Sequence, residues 1–349
     1  MRKRGLQLLM VAAVFIFTFT HCTAKEREFT LLQFNIWMGG NQVPNGYDAI
    51  INQIIDSEAD FVTLSEVRNY EGKPFHDCFI KSLAERGAVY YSFYSEGVGL
   101  LSKYPIVDST LIHRREKGER NGFTYRALID ANGVDIALYT THLDYLHYAC
   151  YDPKGYSGTT WKPAKPVLSE KEVLRNSYLS TRDRVIKKII PFMQEDVEQG
   201  RLVFLGGDFN EPSHLDWIEE NKDMYDRNGV VVSWPVSSLL YEAGFLDAYR
   251  VKFPNPLTHP GFTYPSDNPL VDVSKLAWAP GIDERERIDF IYYAPCNGLE
   301  VKEAKLWGPL KTIRKSERSF DEGEDPITIG VGEWPSDHRA VWIKFSYQP

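Results

Sequence analysis

The stretch Leu202-Val-Phe-Leu-Gly-Gly-Asp-Phe-Asn210 joins a short apolar run to an abrupt polar ending. The apolar run predicts a buried strand, and two glycines, an aspartate and an asparagine follow it directly. In an α/β sheet, the residues just past the strand ends lie together on one rim, where ligands bind. Asp208 and Asn210 are therefore candidate site residues.

Short β-rich runs of the same kind recur along the chain, with helical patterns between some of them. The predicted strands are Phe29–Phe34, Asp60–Leu64, Phe123–Asp130, Val134–Thr141, Leu202–Leu205, Ile288–Tyr293 and Ala340–Phe345. The predicted helices are Tyr47–Ser57, Phe75–Glu85, Glu170–Gln199 and Ser237–Ala243. This interleaving predicts one α/β domain over residues 25–349, with a central sheet and outer helices. The Tyr-rich segment Tyr145–Pro166 is predicted to be a long loop.

Polar residues follow several of these strands, as Asn35, Glu66 and His142 do. Any single one of them is more often a turn former or a helix cap than a catalyst. Asp289 differs, because a carboxylate inside an apolar strand needs a partner. His338, beside Asp337, is the candidate partner, and an Asp/His pair is what a general base and its orienting group require.

Carboxylate and amide oxygens without a His or Cys cluster favour a hard cation over zinc. Mg²⁺ is the expected ion, with Mn²⁺ or Ca²⁺ as alternatives. The chain has no G-x-S-x-G elbow and no G-x-x-x-x-G-K-[ST] loop, which argues against a serine hydrolase and a P-loop enzyme.

Residues 1–24 have the layout of a secretory signal peptide. Three basic residues precede an apolar run from Leu6 to Phe19, and small residues follow up to Ala24. We expect cleavage after Ala24 and an exported protein, periplasmic or extracellular; a lipid anchor on Cys22 is the alternative.

The remaining chain is acidic and poor in cysteine. The formal charge of −8 becomes more negative when the three basic residues of the leader are removed, which disfavours nonspecific binding of polyanions. Cys78, Cys150 and Cys296 are too few and too scattered for a disulfide scaffold or a zinc site.

Six motifs in this order resemble the endonuclease/exonuclease/phosphatase family, which includes deoxyribonucleases, neutral sphingomyelinases and inositol-polyphosphate phosphatases. The motifs are Gln33-Phe-Asn35, Leu64-Ser-Glu66-Val, Thr140-Thr-His142-Leu, Gly206-Gly-Asp208-Phe-Asn210-Glu-Pro212, Arg287-Ile-Asp289-Phe-Ile and Ser336-Asp337-His338-Arg-Ala-Val341. The resemblance implies a four-layered α/β sandwich, in which two packed mixed β-sheets are flanked by helices. It also implies a metal-dependent phosphoester hydrolase, either a phosphodiesterase or a phosphatase.

The resemblance further implies a role for each matching residue. Glu66 resembles the principal metal ligand, supported by Asn35 beside the phosphate, and Asp337 resembles a further acid near the metal. His338, oriented by Asp289, resembles the imidazole that polarises water or holds a phosphoryl oxygen. Asp208 resembles the carboxylate that aligns and deprotonates the attacking water, and Asn210 resembles a donor to the phosphate. His142 resembles the histidine that stabilises the pentacovalent state or assists the leaving group.

Arg126 resembles a phosphate-contacting arginine of some members, and a surface ion pair is an equally weighted interpretation. We expect a small or lipid-linked phosphoester as substrate, no stable protein partner and a monomer. A secreted nuclease acting on DNA or RNA is the alternative, and a catalytically silent binding module is a third. Most aromatic residues of the Tyr145–Pro166 loop are expected to pack it against the body, and the others to contact substrate.

Overall fold

The computed structural model describes residues 26–349, so the predicted leader and Cys22 lie outside the described residues. The strands are β1 (Arg27–Asn35), β2 (Phe61–Val67), β3 (Gly97–Ser102), β4 (Ile106–His113), β5 (Phe123–Asp130), β6 (Asp135–His142), β7 (Tyr156–Ser157), β8 (Lys162–Pro163), β9 (Leu202–Asp208), β10 (Leu246–Asp247), β11 (Asp289–Tyr293), β12 (Leu299–Trp307), β13 (Lys311–Arg314), β14 (Glu317–Phe320), β15 (Ile327–Thr328) and β16 (Ala340–Tyr347). The α-helices are α1 (Gly46–Ser57), α2 (Phe75–Glu85), α3 (Glu170–Ser177), α4 (Arg182–Glu198), α5 (Pro235–Glu242) and α6 (Ala248–Lys252).

Two six-stranded sheets form the body. The first has the order β15-β12-β16-β1-β2-β3, and the second has the order β10-β11-β9-β6-β5-β4. Each sheet is mixed: β1 pairs parallel with β2 and antiparallel with β16, while β9 pairs parallel with β6 and antiparallel with β11.

Successive side chains of a strand point alternately to the core between the sheets and to the outer helices. In β1, Phe29 and Leu31 face the second sheet, while Leu32 and Phe34 pack with α1 and α2. The second sheet places Ile136, Leu138, Leu202 and Phe204 in the core between the sheets, and its other face packs against α4 and α5. The predicted arrangement of two mixed sheets flanked by helices is confirmed.

The inner face of the sandwich becomes polar at one end. Continuing the alternation of β1 and β2 leads to Gln33, Thr63 and Ser65, all fully buried. Gly206 of β9 lies against this end, and a Cβ on it would meet Thr63 Oγ1 at 2.1 Å. The two sheets therefore approach closely at the place where buried polar residues replace the apolar core, which brings groups from both sheets into one cluster.

The predicted helix Glu170–Gln199 is wrong in one respect, because it is two helices, α3 and α4, separated at Tyr178–Thr181. The Ser180 hydroxyl accepts a hydrogen bond from the backbone N–H of Arg182, which competes with helical bonding. The Arg182 guanidinium, which is buried, donates to the carbonyls of Asp144, Leu146 and His147 and so holds the loop that follows β6.

Among residues 26–349, no helix is long and apolar enough to cross a membrane.

Candidate functional site

The polar end of the sandwich carries a cavity of about 500 Å³. The carboxyl ends of β1 and β2 meet at this edge, with Asn35 beside Ser65, and those of β6 and β9 place His142 beside Asp208. The predicted site residues that line the cavity are Glu66, His142, Asp208, Asn210, Asp337 and His338. Asn35 and Asp289 lie beneath them, hydrogen bonded to members of this set.

His338 and Asp289 form the buried pair at the floor of the cavity. Nδ1 of His338 lies 2.8 Å from Asp289 Oδ2, and Gln33 Nε2 donates to Asp289 Oδ1 at 3.3 Å. Thr63 in turn donates to Gln33 Oε1 at 2.6 Å. Burial disfavours the charged imidazole, yet the charge and hydrogen bond of Asp289 outweigh it and raise the pKa of His338 to about 10. His338 is therefore arranged as a cation that can hold a phosphoryl oxygen.

Asp208 receives three contacts that keep it charged and fixed. Asn35 Nδ2 donates to its Oδ2 at 2.9 Å, the backbone N–H of Asn210 donates to Oδ1 at 2.9 Å, and His142 Nε2 lies 3.5 Å from Oδ2. Burial alone would raise the pKa of Asp208, but the hydrogen bond from His142 and the charges of His338 and His142 lower it. Asp208 is thus held as an ionised carboxylate in the cavity lining, where it can accept hydrogen bonds.

Asn210 is held in a left-handed backbone conformation with φ of 48°. Its side-chain Nδ2 donates to the carbonyl of Leu143 at 3.0 Å, so the amide is fixed between the ends of β6 and β9. Backbone strain of this kind concentrates at functional sites, where the surrounding structure enforces it.

Glu66 reaches the cavity because β2 is irregular there. The register with β3 shifts between Ser65 and Val67, and Glu66 has φ of 67°. A bulge redirects a side chain, and here the Glu66 carboxylate accepts from the N–H of Met38 at 2.9 Å and lies 3.4 Å from Asn35 Nδ2.

Asp337 supplies the observation that fits a metal ion. Its Oδ1 is buried in the cavity wall and has no hydrogen-bond partner among the described residues. Desolvation, together with the charges of Glu66 and Asp208, raises the pKa of Asp337 to about 7 against the opposing effect of His338. A divalent cation would satisfy this oxygen and relieve the repulsion from Glu66, and oxygen donors suit Mg²⁺.

Another group of possible ligand atoms lies nearby: Asp208, Asp289 and His338 offer atoms within 4.8 Å of one another. The oxygens of Asp289 already accept from Gln33 and contact His338, and the side chain has no exposed surface. Asp289 therefore acts through His338. The carboxylates of this edge that could hold a cation are therefore Asp337, whose Oδ1 has no hydrogen bond among the described residues, and Glu66, which is partly exposed to the cavity.

Arg126 is the predicted site residue that the structure does not bring to the cavity. It lies on β5 and points toward α4, where Nη1 is 3.3 Å from the buried Asp196, and Nη2 donates to Thr110. Arg126 forms an ion pair with a buried carboxylate and not the surface ion pair of the alternative interpretation, because its side chain leaves the strand on the face that packs against α4.

The cavity also contains residues that the sequence did not identify. Arg68, Arg115 and Arg120 line it, and Asn121 Nδ2 lies 3.0 Å from His142 Nε2. Arg115 and Arg120 belong to a charged loop before β5. Its composition does not distinguish it from an ordinary solvent-exposed turn. Only the pairing of β5 with β6, which sets Phe123 opposite His142, brings this loop to the site.

Comparisons with known proteins agree with this architecture. The model of the endonuclease/exonuclease/phosphatase family matches residues 32–338. An uncharacterized protein of Caenorhabditis elegans is 26% identical over 330 residues, which cover 91% of each chain.

Two solved structures share the fold at low sequence identity. Truncated TDP2 of C. elegans is 18% identical, with a TM-score of 0.51 over 91% of this chain and 97% of that one. An endonuclease/exonuclease/phosphatase protein of Bacteroides vulgatus is 17% identical, with a TM-score of 0.50 over 91% of this chain and 98% of that one. Since the family model spans nearly all of the described strands, the chain belongs to the endonuclease/exonuclease/phosphatase family.

Proposed function

We propose that this protein is a divalent-metal-dependent phosphoester hydrolase whose substrate is a small or lipid-linked phosphoester. The observation that carries the proposal is the convergence of a His338–Asp289 pair, an ionised Asp208 and the unpartnered Asp337 oxygen on one cavity. A phosphoester is anionic, so its hydrolysis needs cationic groups at the phosphoryl oxygens and an acceptor for the proton of the attacking water.

Each side chain has a role in this reaction that follows from its charge. The His338 imidazolium, fixed by Asp289, holds a phosphoryl oxygen. Asp208 aligns the water and accepts its proton, and His142, 3.5 Å from Asp208 Oδ2, stabilises charge on the phosphoryl group or the leaving oxygen. Glu66, Asp337 and Asn35 would hold the cation, expected to be Mg²⁺ with Mn²⁺ or Ca²⁺ as alternatives; when bound, it neutralises phosphate charge.

A substrate panel tests this proposal. Purified protein with Mg²⁺ is expected to hydrolyse at least one class among phosphomonoesters, small phosphodiesters and phospholipid headgroups, and Asp208→Asn should lower kcat by about 100-fold or more. Tyr178→Ala is the control, because Tyr178 is exposed and does not line the cavity. Substrate binding without turnover in every class would instead support a binding module.

A nuclease is the second candidate, and the arginines support it. Arg115, Arg120 and Asn121 line both the main cavity and an adjoining one of about 270 Å³, so a basic surface continues past His142. Such a surface suits additional phosphates along a strand. Nicking of plasmid DNA that Arg115→Ala and Arg120→Ala both reduce, with a strong dependence on salt, would favour this candidate over the first.

We propose further that the protein acts after export, as the signal-peptide pattern of residues 1–24 suggests. Expression of the full chain in a bacterial host, followed by fractionation and sequencing of the new N-terminus, tests this proposal. Export with a terminus at Lys25 supports the free form, and labelling of Cys22 by fatty acid supports the anchored form. Retention of the uncleaved chain in the cytoplasm would contradict both.

A further inference from the structure

The side chain of Asn121 contacts His142 at a nitrogen that also faces a carboxylate. Asn121 Nδ2 lies 3.0 Å from His142 Nε2, and Asp208 Oδ2 lies 3.5 Å from the same nitrogen. The His142 side chain is 3% exposed, and within the described residues these two groups are the polar contacts of Nε2. The roles given above to Asp208 and His142 leave Asn121 without one.

The two contacts make opposite demands on His142 Nε2. The ionised Asp208 carboxylate can only accept, so it favours a proton on this nitrogen, whereas the NH2 group of Asn121 can only donate and favours a bare nitrogen. One ring nitrogen cannot satisfy both groups at once. The carboxamide of Asn121 can resolve the conflict, because a half-turn about its Cβ–Cγ bond replaces Nδ2 by the acceptor Oδ1.

Such a turn of the Asn121 carboxamide would break no other hydrogen bond. Among residues 26–349, His142 is the one hydrogen-bond partner of this side chain. Asn121 is half-buried and lines both the main cavity and the adjoining one, so the carboxamide borders open space. The side chain is therefore placed to follow a change of charge on the ring.

The loop between β4 and β5 is anchored so that Asn121 stays in place. The buried Glu119 carboxylate lies 3.3 Å from His113 Nε2 and accepts from the backbone N–H of Glu116. Gly122 lies beside this carboxylate with φ of 126°, and a Cβ added there would be 2.9 Å from Glu119 Oε2. A residue larger than glycine would thus displace the anchor next to Asn121.

The same loop is bound directly to the chain segment that carries His142. The backbone N–H of Arg120 donates at 3.0 Å to Oδ1 of Asp144, which lies two residues past His142. On the other side of Asn121, Phe123 pairs with His142 in the antiparallel register of β5 and β6. Asn121 lies between these two links, so the backbone sets the distance from its carboxamide to the ring.

We propose that Asn121 is a positioning residue for His142, and that its carboxamide keeps a hydrogen bond to the ring in both charge states. Nδ2 donates to Nε2 of the neutral ring, and Oδ1 accepts from Nε2–H of the charged ring, which also donates to Asp208. The inference rests on the proposed hydrolase function, in which His142 stabilises charge on the phosphoryl group or the leaving oxygen. The ring then keeps its alignment with the reacting atoms while its charge changes.

An NMR titration of the whole protein tests the contact without relying on turnover. The NH2 resonances of Asn121 are expected to shift with the same midpoint as the ring protons of His142. Nuclear Overhauser effects between this NH2 group and the ring should be present above the midpoint and lost below it. The charged groups that share the cavities with the ring are Asp208 of β9, His338, Arg68 after β2, and Arg115 and Arg120 of the loop.

Variants that leave all these charges intact separate positioning from a general structural role. Asn121→Ala removes both donor and acceptor, and we expect kcat to fall about 10- to 100-fold while KM and the melting temperature stay close to wild type. Asn121→Asp keeps an acceptor for the charged ring, so kcat should recover to a value between those of wild type and Asn121→Ala. Lys117→Ala is the matched control, because Lys117 belongs to the same loop, is exposed and lines neither cavity.

The outcomes are separable. Overhauser effects that are the same on both sides of the midpoint, or an Asn121→Ala variant as active as Lys117→Ala, would overturn the inference and leave the hydrolase function standing. A loss of melting temperature and kcat in Asn121→Ala that Asn121→Asp does not reverse would assign Asn121 a structural role and would also overturn it. Failure of the wild type to hydrolyse any phosphoester would contradict the hydrolase function, while the NMR titration would still decide the contact.

Discussion

At the residue scale, the site depends on a few charges whose states are set by burial and by their neighbours. His338 is cationic because Asp289 lies 2.8 Å away, and Asp208 is anionic because His142 and His338 flank it. The side chains of Gln33, Thr63 and Ser65 are uncharged, yet they fix these groups in place. The positions of the charged groups therefore depend also on buried polar residues beneath those that line the cavity.

Asp289→Asn isolates the contribution of the His338–Asp289 pair. Without the carboxylate, the largest cause of the raised pKa is lost, so the pKa of His338 should fall from about 10 toward its ordinary value, although Asp208 and Asp337 still raise it. A smaller fraction of the imidazole would then be charged at neutral pH and its orientation would be less fixed, and kcat should drop by about 100-fold or more. NMR titration of the imidazole together with steady-state kinetics checks both effects; an unchanged pKa would contradict the assignment.

Asp337→Asn tests the metal site through stability. In the wild type, Mg²⁺ should raise the melting temperature, because a ligand that binds only the folded state stabilises it. The variant should lose this shift, and without metal it should be about as stable as the wild type, since the buried oxygen that lacks a hydrogen bond and the repulsion from Glu66 are removed while the weak pairing with His338 at 4.0 Å is lost. Asp223→Asn, at an exposed position, is the control. A full Mg²⁺ shift in Asp337→Asn would place the ion elsewhere.

At the scale of elements, the close packing of β9 against β2 brings the site residues of the second sheet next to those of the first. Gly206 is required because an added Cβ would lie 2.1 Å from Thr63 Oγ1. We expect Gly206→Ala to destabilise the fold by about 1–3 kcal/mol, which is typical of overpacking. Gly281→Ala is the matched control, because nothing lies within 4 Å of the position of its Cβ. Equal midpoints of urea denaturation for the two variants would refute this explanation.

A second link between elements is the buried ion network of Asp216. Its carboxylate accepts from Arg250 of α6 at 2.7 Å and from Arg287, just before β11, at 3.0 Å. Burial opposes ionisation, but the two guanidinium groups lower the pKa of Asp216 below its ordinary value. The stabilisation is therefore present above the unfolded-state pKa of about 3.9 and is lost as the pH falls through the lower folded-state pKa.

Asp216→Asn should thus cost about 3–5 kcal/mol at neutral pH, because two buried arginines lose a charged partner. The difference in unfolding free energy between wild type and variant should shrink at acidic pH. Urea denaturation at several pH values measures this difference, and Asp223→Asn again serves as the control. A difference that does not depend on pH would show that packing, and not charge, is what Asp216 contributes.

At the scale of the whole molecule, the interleaved strand and helix patterns predicted one α/β domain with a central sheet, and the resemblance to the family implied the sandwich of two sheets. The sequence placed the strand-end residues correctly at one edge, since parallel pairing of β1 with β2 and of β6 with β9 is common for such runs. The sequence left two interpretations of Arg126 open, because a family resemblance does not say which face of β5 the residue occupies. The arginine loop and Trp278 were not identified, because only tertiary packing brings them to the cavity.

The most direct test of the central claim is the initial rate of bis-p-nitrophenyl phosphate hydrolysis with Mg²⁺, before and after EDTA, for the wild type and for His338→Ala, each shown to be folded by circular dichroism. We expect turnover that EDTA abolishes and Mg²⁺ restores, and a loss of about 1,000-fold in the variant, the scale of losing one transition-state contact to a developing charge. Equal rates in the folded variant, or hydrolysis that persists in EDTA, would contradict the account.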